Sequence, residues 1–162
     1  RYFKLKRDVN QRGHSQELAL SSFLEREPDA ERFIRPQAQH ADLILSLQPI
    51  HPRVVEELDQ DKPLRLKLVV QTRQGFNELS LRRVLVGVCG LHVDIEPTDL
   101  ADVFITIEGD TSAEDVALAV KILCPRIFEF LDLKPNWQSG VAGLMQLITL
   151  SHINQALTKR II

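Results

Sequence analysis

The sequence contains no glycine-rich phosphate loop. Nothing in it fits the G-x-x-x-x-G-K-[ST] spacing, and only seven glycines are present. Such a loop cradles nucleotide phosphates with its backbone N–H groups, so the usual element for holding ATP is missing. There is no G-x-S-x-G nucleophile elbow either, which argues against an α/β-type serine hydrolase. Because the five histidines are scattered without metal-ligand spacing, the sequence predicts no catalytic and no metal-binding residues of its own.

Cysteine and long apolar runs are also scarce. The two cysteines, Cys89 and Cys124, lie in apolar surroundings far apart in the sequence. This favours buried free thiols in a reduced cytosol, with a regulatory disulfide as the open alternative. No apolar run approaches the roughly 18–20 residues needed to cross a bilayer, and no signal-peptide pattern is present. We therefore expect a cytoplasmic protein without membrane or nucleic-acid partners.

Positive charge is concentrated at one end of the chain. The first fourteen residues hold five cations and one acid, a local charge of +4, although the whole chain of 162 residues carries −2. Within them the run RDVNQRGH, residues 7–14, places two arginines five positions apart and closes on a glycine and a histidine. Paired guanidiniums recognise phosphate, so this run predicts an anion-binding patch. Solvated helix residues are the alternative interpretation.

Strand and helix patterns alternate along the chain. They predict an α/β fold, with α+β as the alternative, built on a mixed β-sheet with flanking helices. We expect a lid-like helical segment with the basic patch over residues 1–40 and a mixed-sheet C-terminal α/β domain over residues 41–162. Pro28 is expected to break the first helix. The strands at 64–71 and 102–108 are expected at sheet edges, where they could pair across a two-fold axis.

The stretch FKLKRDVNQRGHSQELALSSFLEREPDAERFIRPQAQHADLILSL resembles the middle of phosphoribulokinase and its uridine kinase relatives. Those proteins carry a strand leading into K-x-x-R-D-x-x-x-R-G-[HR], helical segments, and then a P-Q-K-x-x-A-D-[VL]-[VI] strand. Here the two blocks read LKRDVNQRGH and RPQAQHADLIL. The segment ADVFITIEGDTSAEDVALAVKIL is compatible with a late strand and helix of that family. The closing segment SGVAGLMQLITLSHINQAL is similar to its N-G-[ST]-G-L-[FM]-Q pattern.

This resemblance implies the C-terminal half of an ATP-dependent kinase of the phosphoribulokinase/uridine kinase family, from the lid region onward and without the P-loop portion. It implies the C-terminal part of a P-loop kinase-like fold and a homo-oligomer. MgATP would be the cofactor of the parent enzyme, and a phosphorylated sugar or a nucleoside its substrate. In that family the arginines of R-D-x-x-x-R-G meet substrate phosphates in a lid. Carried over, Arg7 and Arg12 would bind phosphate, Asp8 would orient its neighbours, and His14 would contact substrate.

Three departures from the family pattern limit this expectation. Ala38 replaces the lysine of the second block, Arg35 stands where an acidic residue is common, and the C-G-R-K-x-x-C pattern is missing. These changes argue against ribulose 5-phosphate specificity and against phosphotransfer by this chain alone.

Two other functions are open for this chain. A non-catalytic regulatory or oligomerisation module derived from the family is the first alternative. An unrelated α/β oligomerisation domain with a fortuitous R-D-x-x-x-R-G is the second. Within the run itself, a plain ion pair of Asp8 with Arg7 and Arg12 is the alternative to phosphate binding. The chain opens in mid-pattern, and we expect it to be part of a longer protein.

Overall fold

The computed structural model describes residues 8–9, 12–51, 65–73, 76–97, 102–129 and 135–159, and all structural statements refer to these. The chain divides into two compact units, Arg1–Ala41 and Asp42–Ile162, which are described separately. Among the described helices, none combines the length and the apolar character required to cross a membrane. The expected cytoplasmic location stays a prediction.

The first unit is dominated by one helix, α1 (Gln16–Asp29). Ser15 caps it, since the Ser15 hydroxyl accepts a hydrogen bond of 3.2 Å from the backbone N–H of Leu18. A serine in this position satisfies one of the N–H groups that the first turn leaves unpaired. The cap therefore fixes the residue at which α1 begins, directly after the RDVNQRGH run.

The expected break at Pro28 is wrong. The helix continues through Pro28 to Asp29, widens into a π-helical turn over Ala30–Ile34, and tightens into a 3₁₀ turn over Arg35–His40. Pro28 lies in the last turn of α1, where its missing N–H removes only one hydrogen bond. The N–H of Ala30 reaches the carbonyls of both Arg26 and Glu27, which carries the chain past the proline.

The second unit contains a four-stranded sheet. Its strands are β1 (Leu43–Pro49), β2 (Leu66–Thr72), β3 (His92–Pro97) and β4 (Val103–Glu108). They lie side by side in the order β1-β2-β4-β3, and all three pairings are antiparallel. The predicted α/β chain with a sheet and flanking helices is confirmed, and within the described strands the pairing is antiparallel rather than mixed. One reason is the short connection from β3 to β4, because a parallel pair needs a crossover of a dozen or more residues.

The expected placement of the edge strands is wrong. β2 and β4 lie in the centre of the described sheet and pair with each other, with Val70 opposite Ile105. Both of these side chains are fully buried. The edges are β1 and β3. Alternation of apolar and polar residues in β2 indicated one buried face, and this pattern is the same for central and edge strands of an antiparallel sheet.

Three helices and the sheet form the core of the second unit. Leu85, Val120, Leu147 and Ile148 have no exposed surface, and they belong to the same apolar cluster as the inward side chains of β2 and β4. The helix that follows β4 ends two residues before Pro125, a residue that disfavours the continuation of a helix. The helices are α2 (Glu78–Gly87), α3 (Ala113–Leu123) and α4 (Gly140–Lys159), and a 3₁₀ turn over Pro125–Glu129 follows α3.

The beginning of α4 is held tightly against the loop that precedes it. The side-chain amide of Gln146 accepts a 2.9 Å hydrogen bond from the N–H of Gln138 and donates a 3.1 Å bond to the carbonyl of Asn136. A Cβ at Gly143 would lie only 2.0 Å from the Gln138 carbonyl oxygen. Leu144 is buried in the core. In the segment GLMQ, residues 143–146, Gly143, Leu144 and Gln146 therefore each have a structural role.

Candidate phosphate-binding turn

The acid and one arginine of the RDVNQRGH run form an ion pair. Nη1 of Arg12 lies 3.3 Å from Oδ1 of Asp8, and the two residues are four positions apart. The Asp8 side chain is only 10% exposed, whereas the Arg12 side chain is 56% exposed. A nearly buried carboxylate thus pairs with one terminal nitrogen of Arg12, whose side chain is about half exposed to solvent. Arg7, the other arginine of the predicted site, lies outside the described residues.

A glycine closes this turn. Gly13 has a φ of +67°, in the left-handed region that glycine adopts without steric cost. No atom lies within 4 Å of a Cβ built at Gly13, so the backbone conformation, not crowding, accounts for the glycine there. The N–H of His14 then donates a 3.0 Å hydrogen bond to the carbonyl of Asp8. Asp8, Arg12 and His14 are consequently brought together in one short loop, with the His14 side chain exposed.

The electrostatics of the turn leave the guanidinium able to bind an anion. Asp8 is the sole ion-pair partner of Arg12 among the described residues, and the contact uses one of its two terminal nitrogens. A guanidinium carries five N–H donors, so most of them are available to a ligand. The turn leads directly into the amino terminus of α1, whose N–H groups and dipole favour negative charge. Glu17 in the first turn of α1 offsets part of this effect.

Arg35, at the family's acidic position, is not part of this turn. Its guanidinium contacts Glu27, and its Nη1 donates to Glu31 Oε1 at 2.9 Å. Hydrogen bonding and charge attraction from Glu27, followed by Glu31, raise the pKa of Arg35. These ion pairs connect Arg35 to Glu27 in the last turn of α1 and to Glu31 in the π-helical turn. They therefore stabilise the irregular helical segment that follows Pro28. The four-residue spacing of Glu31 and Arg35 is the sequence signal for this pair.

Neither cysteine forms a reactive site. Cys89 and Cys124 are buried and free, which confirms the interpretation as buried thiols. Burial raises the pKa of both thiols, and the hydrogen bond between Ser151 and Cys124 lowers the pKa of Cys124 in part. A raised pKa leaves little thiolate, the form that reacts with oxidants. Over the part of the chain that is described, no group of three or more histidine, cysteine or carboxylate side chains could hold a metal ion.

Comparison with known proteins agrees with the motif. The model of the phosphoribulokinase / uridine kinase family matches residues 2–52, which include the whole turn. Spinach (Spinacia oleracea) chloroplastic phosphoribulokinase is 36% identical over 67 residues, and the phosphoribulokinase of Synechocystis sp. is 39% identical over 76 residues. These similarities relate this segment of the chain to the phosphoribulokinase/uridine kinase family and argue against a fortuitous motif.

The similarity covers a limited part of each protein. It spans 41% of this chain and 16% of the spinach protein, and 47% of this chain and 22% of the Synechocystis protein. The family-model match ends at residue 52. The expected resemblance of the closing segment, residues 139–157, to the carboxy-terminal pattern of the family therefore stays a prediction.

Proposed function

We propose that this chain is the C-terminal portion of a phosphoribulokinase/uridine kinase-like, ATP-dependent kinase, and that the Asp8–Arg12–Gly13–His14 turn contributes to phosphate binding in its lid. The family-model match over residues 2–52 supports the first part. The single observation that carries the second part is the half-exposed side chain of Arg12, one terminal nitrogen of which pairs with the nearly buried Asp8 carboxylate.

Each residue of the turn has a distinct role in this proposal. Arg12 donates hydrogen bonds to phosphate oxygens, and Arg7 supplies the second guanidinium. Asp8 is a positioning residue, because it holds Arg12 without contacting the ligand. His14 contacts the substrate beside the phosphate. Guanidiniums arranged around a phosphate stabilise the charge that spreads over its oxygens during transfer.

The whole kinase would transfer a phosphoryl group from MgATP to a hydroxyl of a phosphorylated sugar or a nucleoside. The 162 residues contain no P-loop sequence, so we expect this chain to bind the phosphorylated substrate without catalysing phosphotransfer alone. A pure oligomerisation module derived from the same family needs no such site. Affinity for a phosphorylated ligand at the turn would therefore favour the lid of a kinase over an oligomerisation module.

Homo-oligomerisation is part of the proposal. The described sheet presents two edge strands, β1 and β3, and an unpaired strand edge can pair with a second copy across a two-fold axis. β3 carries His92, Asp94 and Glu96, whose exposed side chains discourage pairing, so β1 is the favoured edge. Size-exclusion chromatography with light scattering should give twice the chain mass of 18.5 kDa. A strict monomer at all concentrations would contradict this part.

A titration tests the phosphate-binding role. Ribose 5-phosphate and unphosphorylated ribose are titrated into the chain by calorimetry, with Arg12→Gln as the variant. One exposed charge-assisted contact contributes about 1–2 kcal/mol, so the substitution should weaken ribose 5-phosphate binding about 5- to 30-fold. Ribose should bind weakly and equally to both proteins. Added salt should lower the affinity of the unsubstituted chain, because Arg12 is half exposed.

Arg26→Gln is the matched control. Arg26 is an exposed arginine of α1 in the same unit, and its substitution removes the same charge without altering the turn. The Arg26→Gln chain should keep its affinity within about twofold, since only the general electrostatic attraction changes. Equal losses in Arg12→Gln and Arg26→Gln, or no binding of the phosphorylated sugar by the unsubstituted chain, would contradict the proposal.

A further inference from the structure

A cleft lies within the second unit, and its lining includes Ser151, the partner of the Cys124 thiol. It has a volume of about 590 Å³ and is formed by the two residues before α2, by α2 itself, by the end of α3 and by the second half of α4. Small-molecule sites in proteins commonly have volumes of about 300–1,000 Å³. The cleft therefore has room for a small organic molecule.

The floor and one wall of the cleft are apolar. Phe76, Leu81 and Val84 are buried and line it, and Ile122 and Leu123 at the end of α3 continue the apolar surface. Phe76 is fixed in place by an edge-to-face contact with the ring of His152, with centroids 6.0 Å apart. Ile122 is 51% exposed, so an apolar ligand would remove its side chain from water. This surface suits the apolar body of a ligand.

The polar side of the cleft carries a positive charge. Among the described residues that line it, Arg83 is the one with an ionised side chain, and the remaining polar lining consists of hydroxyl and amide side chains. Arg83 is exposed and has no ion-pair partner among the residues described. In a chain of net charge −2, a cleft with an uncompensated guanidinium is complementary to an anion.

Polar groups at the far wall are fixed by neighbours inside the protein. The hydroxyl of Ser151 lies 3.4 Å from the Cys124 thiol, and the side-chain amide of Asn154 donates a 3.4 Å hydrogen bond to the carbonyl of Leu123. Ser151 is only 6% exposed and still lines the cleft. The cleft therefore combines a preorganised hydroxyl and amide wall with an apolar floor.

We infer that this cleft binds a small amphipathic anion, with its apolar body on Phe76, Val84 and Ile122 and its anionic group at Arg83. The ligand class is an aromatic or aliphatic carboxylate, sulfonate or phosphate ester. The lining residues lie entirely in the unit Asp42–Ile162, so the inference does not rest on the proposed phosphate-binding turn.

Two fluorescent probes with similar apolar bodies test the inference. Anilinonaphthalene sulfonate carries one negative charge, and phenylnaphthylamine is uncharged. The chain should bind one sulfonate probe saturably, and Arg83→Gln should weaken that binding about fivefold to tenfold while leaving the uncharged probe within about twofold. Arg82→Gln is the matched control, because Arg82 is the neighbouring exposed arginine and does not line the cleft.

A blocking variant fixes the location of the probe. Ser80 is exposed on α2 and lines the cleft, so Ser80→Trp fills it without removing a core contact. Both probes should lose their saturable binding in this variant. No saturable sulfonate binding by the unsubstituted chain, or equal weakening by Arg82→Gln and Arg83→Gln, would overturn the inference. If Ser80→Trp fails to fold, the comparison of Arg83→Gln with Arg82→Gln still tests whether the cleft binds the sulfonate probe. The result of that comparison does not depend on phosphate binding by the turn at Asp8.

Discussion

Replacing Gly143 by alanine should strongly destabilise the second unit. A Cβ there would lie 2.0 Å from the Gln138 carbonyl oxygen and 2.9 Å from Cγ2 of Val116. Reaching even a 3.0 Å contact requires the backbone carbonyl to move by about 1 Å. That movement would disturb the two hydrogen bonds by which Gln146 holds the loop. Overpacking costs about 1–3 kcal/mol and each disturbed bond about 1 kcal/mol, while alanine restores about 1 kcal/mol of helix propensity. The unfolding free energy should therefore fall by about 2–4 kcal/mol.

Urea denaturation followed by tryptophan fluorescence measures this effect. Trp137 is the one tryptophan of the chain, and it lies in the loop that Gly143 contacts and packs against the core. Gly87→Ala is the matched control: Gly87 ends α2, nothing lies within 4 Å of a Cβ there, and alanine should stabilise by up to about 1 kcal/mol. A Gly143→Ala chain as stable as the unsubstituted one would refute the packing argument for the GLMQ segment.

Three further predictions concern the core, a cap and the thiols. Leu147→Ala removes a side chain with no exposed surface and should lower the unfolding free energy by about 2–5 kcal/mol in the same denaturation assay. Ser112→Ala removes the hydroxyl that accepts a 3.0 Å bond from the N–H of Asp115 and should cost about 1 kcal/mol in thermal melts of helical circular dichroism. Because burial raises the pKa of Cys89 and Cys124 above the ordinary 9.0, the unfolded thiols ionise first and stability should fall as the pH rises above 9.0. Denaturation from pH 8 to 10 should show this decline, and it should vanish in a chain with both cysteines replaced by alanine.

The regular parts of the second unit could be predicted because their patterns are local. Alternation of apolar residues in β2 and the Ser112 cap of α3 are visible in the sequence and are present in the structure. Strand order could not be predicted in this way, because side-chain alternation reports which face is buried and not which strand lies beside it. The continuation past Pro28 depends on a bifurcated N–H contact at Ala30, for which the sequence gives no signal.

The candidate turn was partly predictable. The sequence shows a glycine near the end of the RDVNQRGH run, and its positive φ fits the turn found there. An ion pair of Asp8 with the arginines and phosphate binding are alternative interpretations of the sequence, and the structure combines a nearly buried Asp8 carboxylate with a half-exposed Arg12 side chain. How deeply each of two paired side chains is buried depends on tertiary contacts. The four-residue spacing of Asp8 and Arg12 alone therefore could not predict which of the two is exposed. The cleft at Arg83 has no sequence motif, because its lining comes from three separate segments of the chain.

Phosphate binding by the Asp8–Arg12–Gly13–His14 turn is tested most directly by locating a bound phosphorylated sugar with nuclear magnetic resonance. The amides of residues 12–16 and the guanidinium of Arg12 are followed as ribose 5-phosphate is added to the isotopically labelled chain. If the turn binds phosphate, ribose 5-phosphate should produce saturable chemical-shift changes at Arg12, Gly13 and His14. Unphosphorylated ribose should not produce these changes, and they should be lost in Arg12→Gln. Shifts confined to the unit Asp42–Ile162, or the same shifts with ribose, would contradict the phosphate-binding role of the turn.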